Sequence, residues 1–341
     1  MLAVPLAAGN GQPALAAAPL TVLSVSFVSA SEGWLLATPC PGQPACHTVV
    51  MRKTVDGGRT WVAVPAPPAL ATGILFTGGG RGWAFGSALW RTTTGGAAWQ
   101  RVNVPGGQVT DVAVSKTRVF VLSKRFQPDG FQVYATGAGT GDWRAVPGAD
   151  GTGLQHAALA VAGGEGYLTG TPPSGQGRPM LLAGPVDGAA SWRPLPFPCT
   201  GPWSAALAAA PDGRLFLGCA GEPGAGNQLK TAYFSADGGH AWGRGTDPPF
   251  AGYLESASMN AAGTIFLSGD RMGIYTSWDR GRSWQQSPSL ASAVNLASAG
   301  FPLTGTILTS TFGYAFQQGV DQQQVWLTHD GGRTWTATTI R

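Results

Sequence analysis

The sequence predicts an all-β protein, a seven-bladed β-propeller of four-stranded antiparallel blades. Three observations predict it. A short segment ending in Trp recurs along the chain at an even spacing. Apolar runs with period-two alternation precede several of its copies. The composition favours short strands, since 52 of the 341 residues are Gly and 26 are Pro, 43% are hydrophobic and only 11% are charged. Such a chain suits many strands joined by turns and suits long helices poorly.

The recurring segment is clearest in Thr54-Val55-Asp56-Gly57-Gly58-Arg59-Thr60-Trp61, which returns as Thr328-His329-Asp330-Gly331-Gly332-Arg333-Thr334-Trp335. Two further copies centre on Asp279 and Asp237 and end at Trp284 and Trp242. Weaker copies end at Trp99, at Trp143 and, with Asp187, at Trp192. Thr94 and Ala138 stand where the Asp would be in the second and third copies. Trp61 and Trp335 are 274 residues apart in six steps, about 46 per step, and four short strands with their turns need roughly 40–50 residues. Seven copies therefore imply seven blades over residues 21–341.

The strands follow from the runs between copies. Ser24-Val25-Ser26-Phe27-Val28 leads to Gly33-Trp34-Leu35-Leu36, Ile74-Leu75-Phe76 leads to Gly82-Trp83-Ala84-Phe85, and Gly166-Tyr167-Leu168 repeats the step. Alternation bounded by Gly, Pro, Asp and Ser reads as strand. Strands A and B precede each recurring segment, C runs into it and D begins at its Trp. The segment itself is then the C–D turn. Its Asp is expected to accept hydrogen bonds from backbone N–H groups two residues on, its Gly to take positive φ, and its Trp to bury a large ring. A catalytic acid is needed once and a turn device in every blade, so these Asp residues read as structural. Metal at these turns is not expected, since each offers one carboxylate where Ca²⁺ takes about six to eight oxygens.

The segment resembles the Asp box, S/T-x-D-x-G-x-S/T-W, of sialidases and of the propeller-shaped assembly factors of photosystem II. The resemblance covers residues 21–341 and implies the propeller fold. It also implies two different uses for it, weighed below.

Residues 1–20 are Ala-rich without a basic start and are expected to be a disordered leader or the remnant of an export signal. No run of eighteen apolar residues occurs, so no transmembrane segment is expected. The net charge is +4 with the basic residues scattered, which argues against nucleic acid as a partner. Cys40 and Cys46 flank the B–C loop of the first blade, and Cys199 and Cys219 lie at the start of A and the end of B in the fifth. Both pairs are reasonable disulfides, and an even count at loop-closing spacing favours an oxidising, extracytoplasmic compartment. Free buried thiols and a zinc site remain as alternatives, although close C-x2-C pairs are lacking.

Alternating strand direction puts the A–B and C–D turns on one rim and the B–C and D–A loops on the other. Long loops on a rigid scaffold are where function usually lives. The loop rim should carry Arg125, Arg178, Asp270, Arg271 and Asp321, with Asp111, His156, Trp203, Tyr253 and Glu255 at the inner ends of A strands. The likeness to sialidases implies a glycoside hydrolase acting on an anionic sugar. Arg125, Arg178 and Arg271 would hold the sugar carboxylate, Tyr253 and Glu255 would form the nucleophilic pair and Asp111 would be the acid. The Phe-Arg-Ile-Pro segment of that family is missing, and this chain reads Val50-Met51-Arg52-Lys53. The likeness to the assembly factors implies a non-catalytic propeller that presents its loop rim to a protein or glycan; a monomer without a cofactor is expected. With four Glu and four His in the whole chain, acid–base groups are few, and this second use is favoured. A sugar-binding variant of it would stack Trp203 and Tyr253 on a ring.

Overall fold

A computed structural model describes residues 20–40, 48–68, 70–137, 141–173, 178–200, 204–249, 251–271, 273–288, 290, 303–317 and 323–340. The chain forms seven four-stranded antiparallel sheets in sequence order. They are β1 (Thr21–Phe27), β2 (Gly33–Thr38), β3 (Val50–Thr54) and β4 (Val62–Val64), then β5 (Ala71–Phe76), β6 (Gly82–Gly86), β7 (Leu89–Thr92) and β8 (Gln100–Val102). The third blade is β9 (Val109–Val114), β10 (Arg118–Phe126), β11 (Asp129–Gly137) and β12 (Arg144–Thr152), and the fourth β13 (His156–Ala162), β14 (Glu165–Thr171), β15 (Met180–Pro185) and β16 (Arg193–Pro194). The fifth is β17 (Ser204–Ala209), β18 (Leu215–Gly224), β19 (Asn227–Ser235) and β20 (Gly243–Arg244). The sixth is β21 (Ser256–Met259), β22 (Ile265–Gly269), β23 (Gly273–Ser277) and β24 (Gln285–Gln286), and the seventh β25 (Leu303–Ile307), β26 (Gly313–Gln317), β27 (Gln324–Thr328) and β28 (Thr336–Thr339).

Each recurring segment is the turn between the third and fourth strands of its blade. Asp330 shows how the turn is held. Its Oδ1 accepts from Thr328 Oγ1 at 2.8 Å, Arg333 N at 3.0 Å and Thr334 N at 2.9 Å, and its Oδ2 from Thr334 Oγ1 at 2.6 Å. Asp56, Asp237 and Asp279 likewise accept the N–H four residues on. The span is thus longer than the expected two residues. Paired glycines at φ +73° and +94° (Gly331 and Gly332) curl the chain back far enough for the longer reach. Asp187 keeps the two-residue bond, to Ala189 N at 2.9 Å. Where Thr94 replaces the acid, its hydroxyl accepts from Ala98 N at 2.9 Å. Ala138 lies outside the described residues.

The two rims separate as strand alternation requires. Repeat turns bond to A–B turns of the same blade, as in Gly57 N to Ser31 O (2.8 Å) and Gly331 N to Thr311 O (2.7 Å). On the other rim, Gln155 N donates to Thr171 O (2.9 Å) and Tyr253 N to Asp270 O (2.8 Å).

The core lies in the seams between blades. Trp34 of the first blade stacks on Phe76 of the second, with ring centroids 3.9 Å apart. Several turn tryptophans also clasp the preceding blade, with Trp99, Trp242 and Trp284 each donating an indole N–H at 2.9 Å to Pro65 O, Pro196 O and Thr246 O. Among the seven turn tryptophans only Trp192 and Trp335 are buried outright, at 3% and 8% exposure. Innermost strands have free edges, and side chains of the preceding blade satisfy their N–H groups. Ser26 Oγ accepts from Phe76 N (2.9 Å), Ser258 Oγ from Ile307 N (2.9 Å) and Asp111 Oδ2 from Leu159 N (2.9 Å). The ring closes by packing. Blades one and seven share no sheet among the described residues, and Phe27 meets Phe312 and Tyr314 at 5.1 and 5.2 Å.

Candidate functional site: a pocket on the loop rim

Cys199 and Cys219 are disulfide-bonded, with Cα atoms 5.4 Å apart. They tie the entry of the fifth blade to the end of the apolar part of β18. Cys40 is disulfide-bonded too, and Cys46 lies outside the described residues.

Beside this staple, the inner ends of the fourth, fifth and sixth blades enclose a pocket of about 610 Å³. His156, Thr169, Thr171, Ser204, Gln228, Tyr253 and Glu255 supply its polar groups, and Ala157, Ala205, Pro223 and Leu254 part of its apolar wall. The segment carrying Tyr253 and Glu255 runs between β20 and β21 and is moored at several points. Gln228 Oε1 accepts from Leu254 N at 3.1 Å, Asn227 Oδ1 from Gly252 N at 2.9 Å, and Ser268 O from Glu255 N at 3.1 Å. Lys230, 3% exposed, donates to the carbonyls of Gln228, Pro249, Ala251 and Gly252 at 2.8–3.3 Å. Burial lowers its pKa to about 8, so it stays charged at pH 7 and gathers the carbonyls of the loop around it.

The sequence reading passed over Gln228 and Lys230. Their signal is an inverted alternation in β19, where both are buried while Leu229 between them is 70% exposed. A strand whose polar residues face inward has something polar to hold there.

His156, Tyr253 and Glu255 meet in this pocket, as three of the residues singled out from sequence. The Glu255 carboxyl keeps part of its surface in solvent, and its pKa is raised by burial and then by the charge of Asp270. Asp270 and Arg271 form the B–C hairpin of the sixth blade and pair with each other at 3.9 Å. Arg125 is engaged elsewhere, donating to Asp150 Oδ1 at 2.7 Å and Thr152 Oγ1 at 2.6 Å on the outer strand of the third blade. Arg178 is exposed on the B–C connection of the fourth blade. None of the three arginines lines the pocket. Asp111 sits in β9 with both oxygens committed, to Val112 N at 2.8 Å and Leu159 N at 2.9 Å. Burial raises its pKa to about 6 against those two bonds. It does for the third seam what Ser26 and Ser258 do for theirs. Trp203 and Asp321 lie outside the described residues. No group of three or more His, Cys, Asp or Glu among the described residues could hold a metal.

No family model matches the chain, and no curated protein matches it in sequence. Solved propellers do match in structure. YCF48 bound to a D1 peptide is 18% identical with a TM-score of 0.61, over 92% of this chain and 94% of that one. YCF48 from Cyanidioschyzon merolae is 14% identical with a TM-score of 0.59, over 92% and 96%. The GH74 enzyme of Niastella koreensis is 13% identical with a TM-score of 0.51, over 94% of this chain and 66% of that one. At these identities the likeness is one of fold: this chain is a seven-bladed β-propeller of four-stranded antiparallel blades.

Proposed function

We propose that this chain is a non-catalytic binding propeller that receives a segment of a protein partner in the loop-rim pocket, outside the cytoplasm. The observation that carries the reading is the make-up of that pocket. Its wall offers hydroxyls, a carboxamide, a phenol and two titratable groups, His156 and Glu255, beside apolar side chains. Scattered hydrogen-bonding groups of this kind suit backbone and side chains of a bound segment. A propeller of the same fold holds a peptide in the YCF48 structure, which supports a protein rather than a glycan as partner. The disulfides support an oxidising compartment. No helix among the described residues is long and apolar enough to cross a membrane. The repeat turns we read as Asp boxes in a single domain over residues 21–341, behind a leader of residues 1–20.

A hydrolase of anionic sugars needs arginines around the sugar carboxylate. Arg125 is held by Asp150 and Thr152, and Arg178 and Arg271 do not line the pocket, so that reading has less support. The test is a pull-down from the cell-envelope fraction with the intact protein, Tyr253→Ala and Glu255→Gln. The intact chain should retain a protein that both variants lose, at unchanged melting temperature. Release of fluorophore from 4-methylumbelliferyl glycosides, lost in Glu255→Gln, would instead make the chain an enzyme.

A further inference from the structure

The seam between the second and third blades differs from the seam before it at three matching positions. In the first seam Glu32, just before β2, pairs with Lys53 of β3 at 2.8 Å. Lys53 also lies over the Trp34 ring at 4.8 Å, and Phe76, last residue of β5, stacks on that ring. The register carries each position one blade onward. Trp34 faces Lys53 as Trp83 faces Arg91. Arg81 just before β6 takes the place of Glu32, and Val114, last residue of β9, takes the place of Phe76. A carboxylate has become a guanidinium, and a phenyl ring has become an isopropyl group.

The result is a cavity of about 560 Å³ on the repeat-turn rim. Trp83, Val114, Val119 and Trp143 line it together with Arg81, Arg91 and Lys116. Among the described residues none of these three cations forms an ion pair. Arg91 makes one long bond, to Gln100 Oε1 at 3.4 Å. The neighbouring carboxylate, Asp142, lines the adjoining cleft with Asn103 and Arg144, on the far side of the shared Trp143. The Thr77 hydroxyl and the Trp143 indole N–H, both on lining residues, have no hydrogen-bond partner.

We infer that this seam is a binding site for an organic carboxylate with an aromatic or branched apolar body. The body takes the space that Phe76 fills in the first seam, and the carboxylate supplies the negative charge that Glu32 supplies there. Guanidinium groups bind carboxylates through parallel N–H···O bonds, and the cost of three unpaired cations at one mouth falls when an anion joins them. A bare oxyanion would leave the apolar wall unfilled. The site is on the rim opposite the loop pocket and is independent of it.

Trp83 and Trp143 make intrinsic fluorescence a direct readout, with calorimetry to confirm it. The probes are 3-phenylpropionate and its neutral amide, and an N-acetylated tripeptide ending in Phe as the free acid and as the C-terminal amide. Both acids should bind and both amides should bind at least tenfold more weakly, with affinity falling as salt rises. A tripeptide acid tighter than phenylpropionate assigns the carboxylate to a peptide C-terminus, and the reverse order assigns it to a free small molecule. Arg81→Glu restores the acid–base pair of the first seam, and Val114→Phe restores its ring. Each should weaken binding at least tenfold while the melting temperature holds. Arg81→Gln, which leaves the fold least disturbed, should weaken it severalfold. Tyr253→Ala, on the other rim, should leave it unchanged. Equal affinity for acid and amide, or unaltered binding by folded Arg81→Glu and Val114→Phe, overturns the inference.

Discussion

Asp330→Ala tests the turn chemistry on which the ring depends. The side chain accepts two backbone N–H groups and two threonine hydroxyls in the last blade. The exposed Thr334 hydroxyl can turn to water when the carboxylate is lost, whereas Thr328 is fully buried and its hydroxyl proton loses its acceptor. The N–H groups of Arg333 and Thr334 belong to exposed residues, so water can replace part of what the carboxylate gives them. Net bonds to a charged acceptor are worth about 1.5–3 kcal/mol each, and the partial exposure of this turn reduces that, so the expected loss is about 1–3 kcal/mol. Unfolding entropy scales at about 2.1 cal/mol/K per residue, so for 341 residues this loss lowers Tm by roughly 1–4 °C. The same carboxylate sets an acid limit. Burial works to raise its pKa, but bonds from Thr334 and then Thr328 overcome this and hold it at about 2 against 3.8 for a free Asp. A lowered folded-state pKa gives stability that is complete above 3.8 and is lost as pH falls toward 2. Calorimetric melts of both proteins at pH 7 and between pH 2 and 5 should therefore differ most at pH 7 and converge in acid. An unchanged Tm at pH 7, or loss of partner binding with Tm intact, would refute a structural role for the turn.

Three further outcomes rest on the turn geometry, the disulfide and the third seam. Arg280 stands at φ +63°, where the other well-formed repeat turns have Gly, so Arg280→Gly should raise stability by about 0.5–1 kcal/mol, read by urea unfolding; a loss would mean that the Arg280 side chain stabilises the turn. The Cys199–Cys219 bridge closes a separation of 20 residues, worth about 3 kcal/mol by loop entropy, so Cys199→Ser should shift the denaturant midpoint accordingly while Ellman's reagent finds no thiol in the denatured parent protein. Asp111 has a raised pKa of about 6, so its contribution is complete below 3.8 and is lost as pH rises through 6; Asp111→Ser keeps a hydroxyl for Leu159 N–H and should flatten the melting temperature across that window, and parallel profiles for the two proteins would count against it.

Much of the ring is legible in the sequence because its turn chemistry is local. Within eight consecutive residues, Thr328, Asp330, the Gly pair, Thr334 and Trp335 carry the information for one turn, and their recurrence fixes blade number, strand order and rim assignment. His156, Tyr253 and Glu255 were also within reach, since strand direction alone sends them to one rim. Arg125 was not, because its partner Asp150 sits on the outer strand of the same blade and no spacing rule couples them. Nor was Asp111, whose second bond crosses to Leu159 in the next blade.

The sequence by itself determined the repeating unit and the count of units. Tertiary structure alone decided what fills each seam, because a seam joins residues from successive repeats, and its contents depend on the volume and charge that meet there. Phe76 against Trp34 closes one seam, and Val114 near Trp83 leaves the next one open. Lys230 becomes the centre of a ring of carbonyls only when the loop before β21 folds over it.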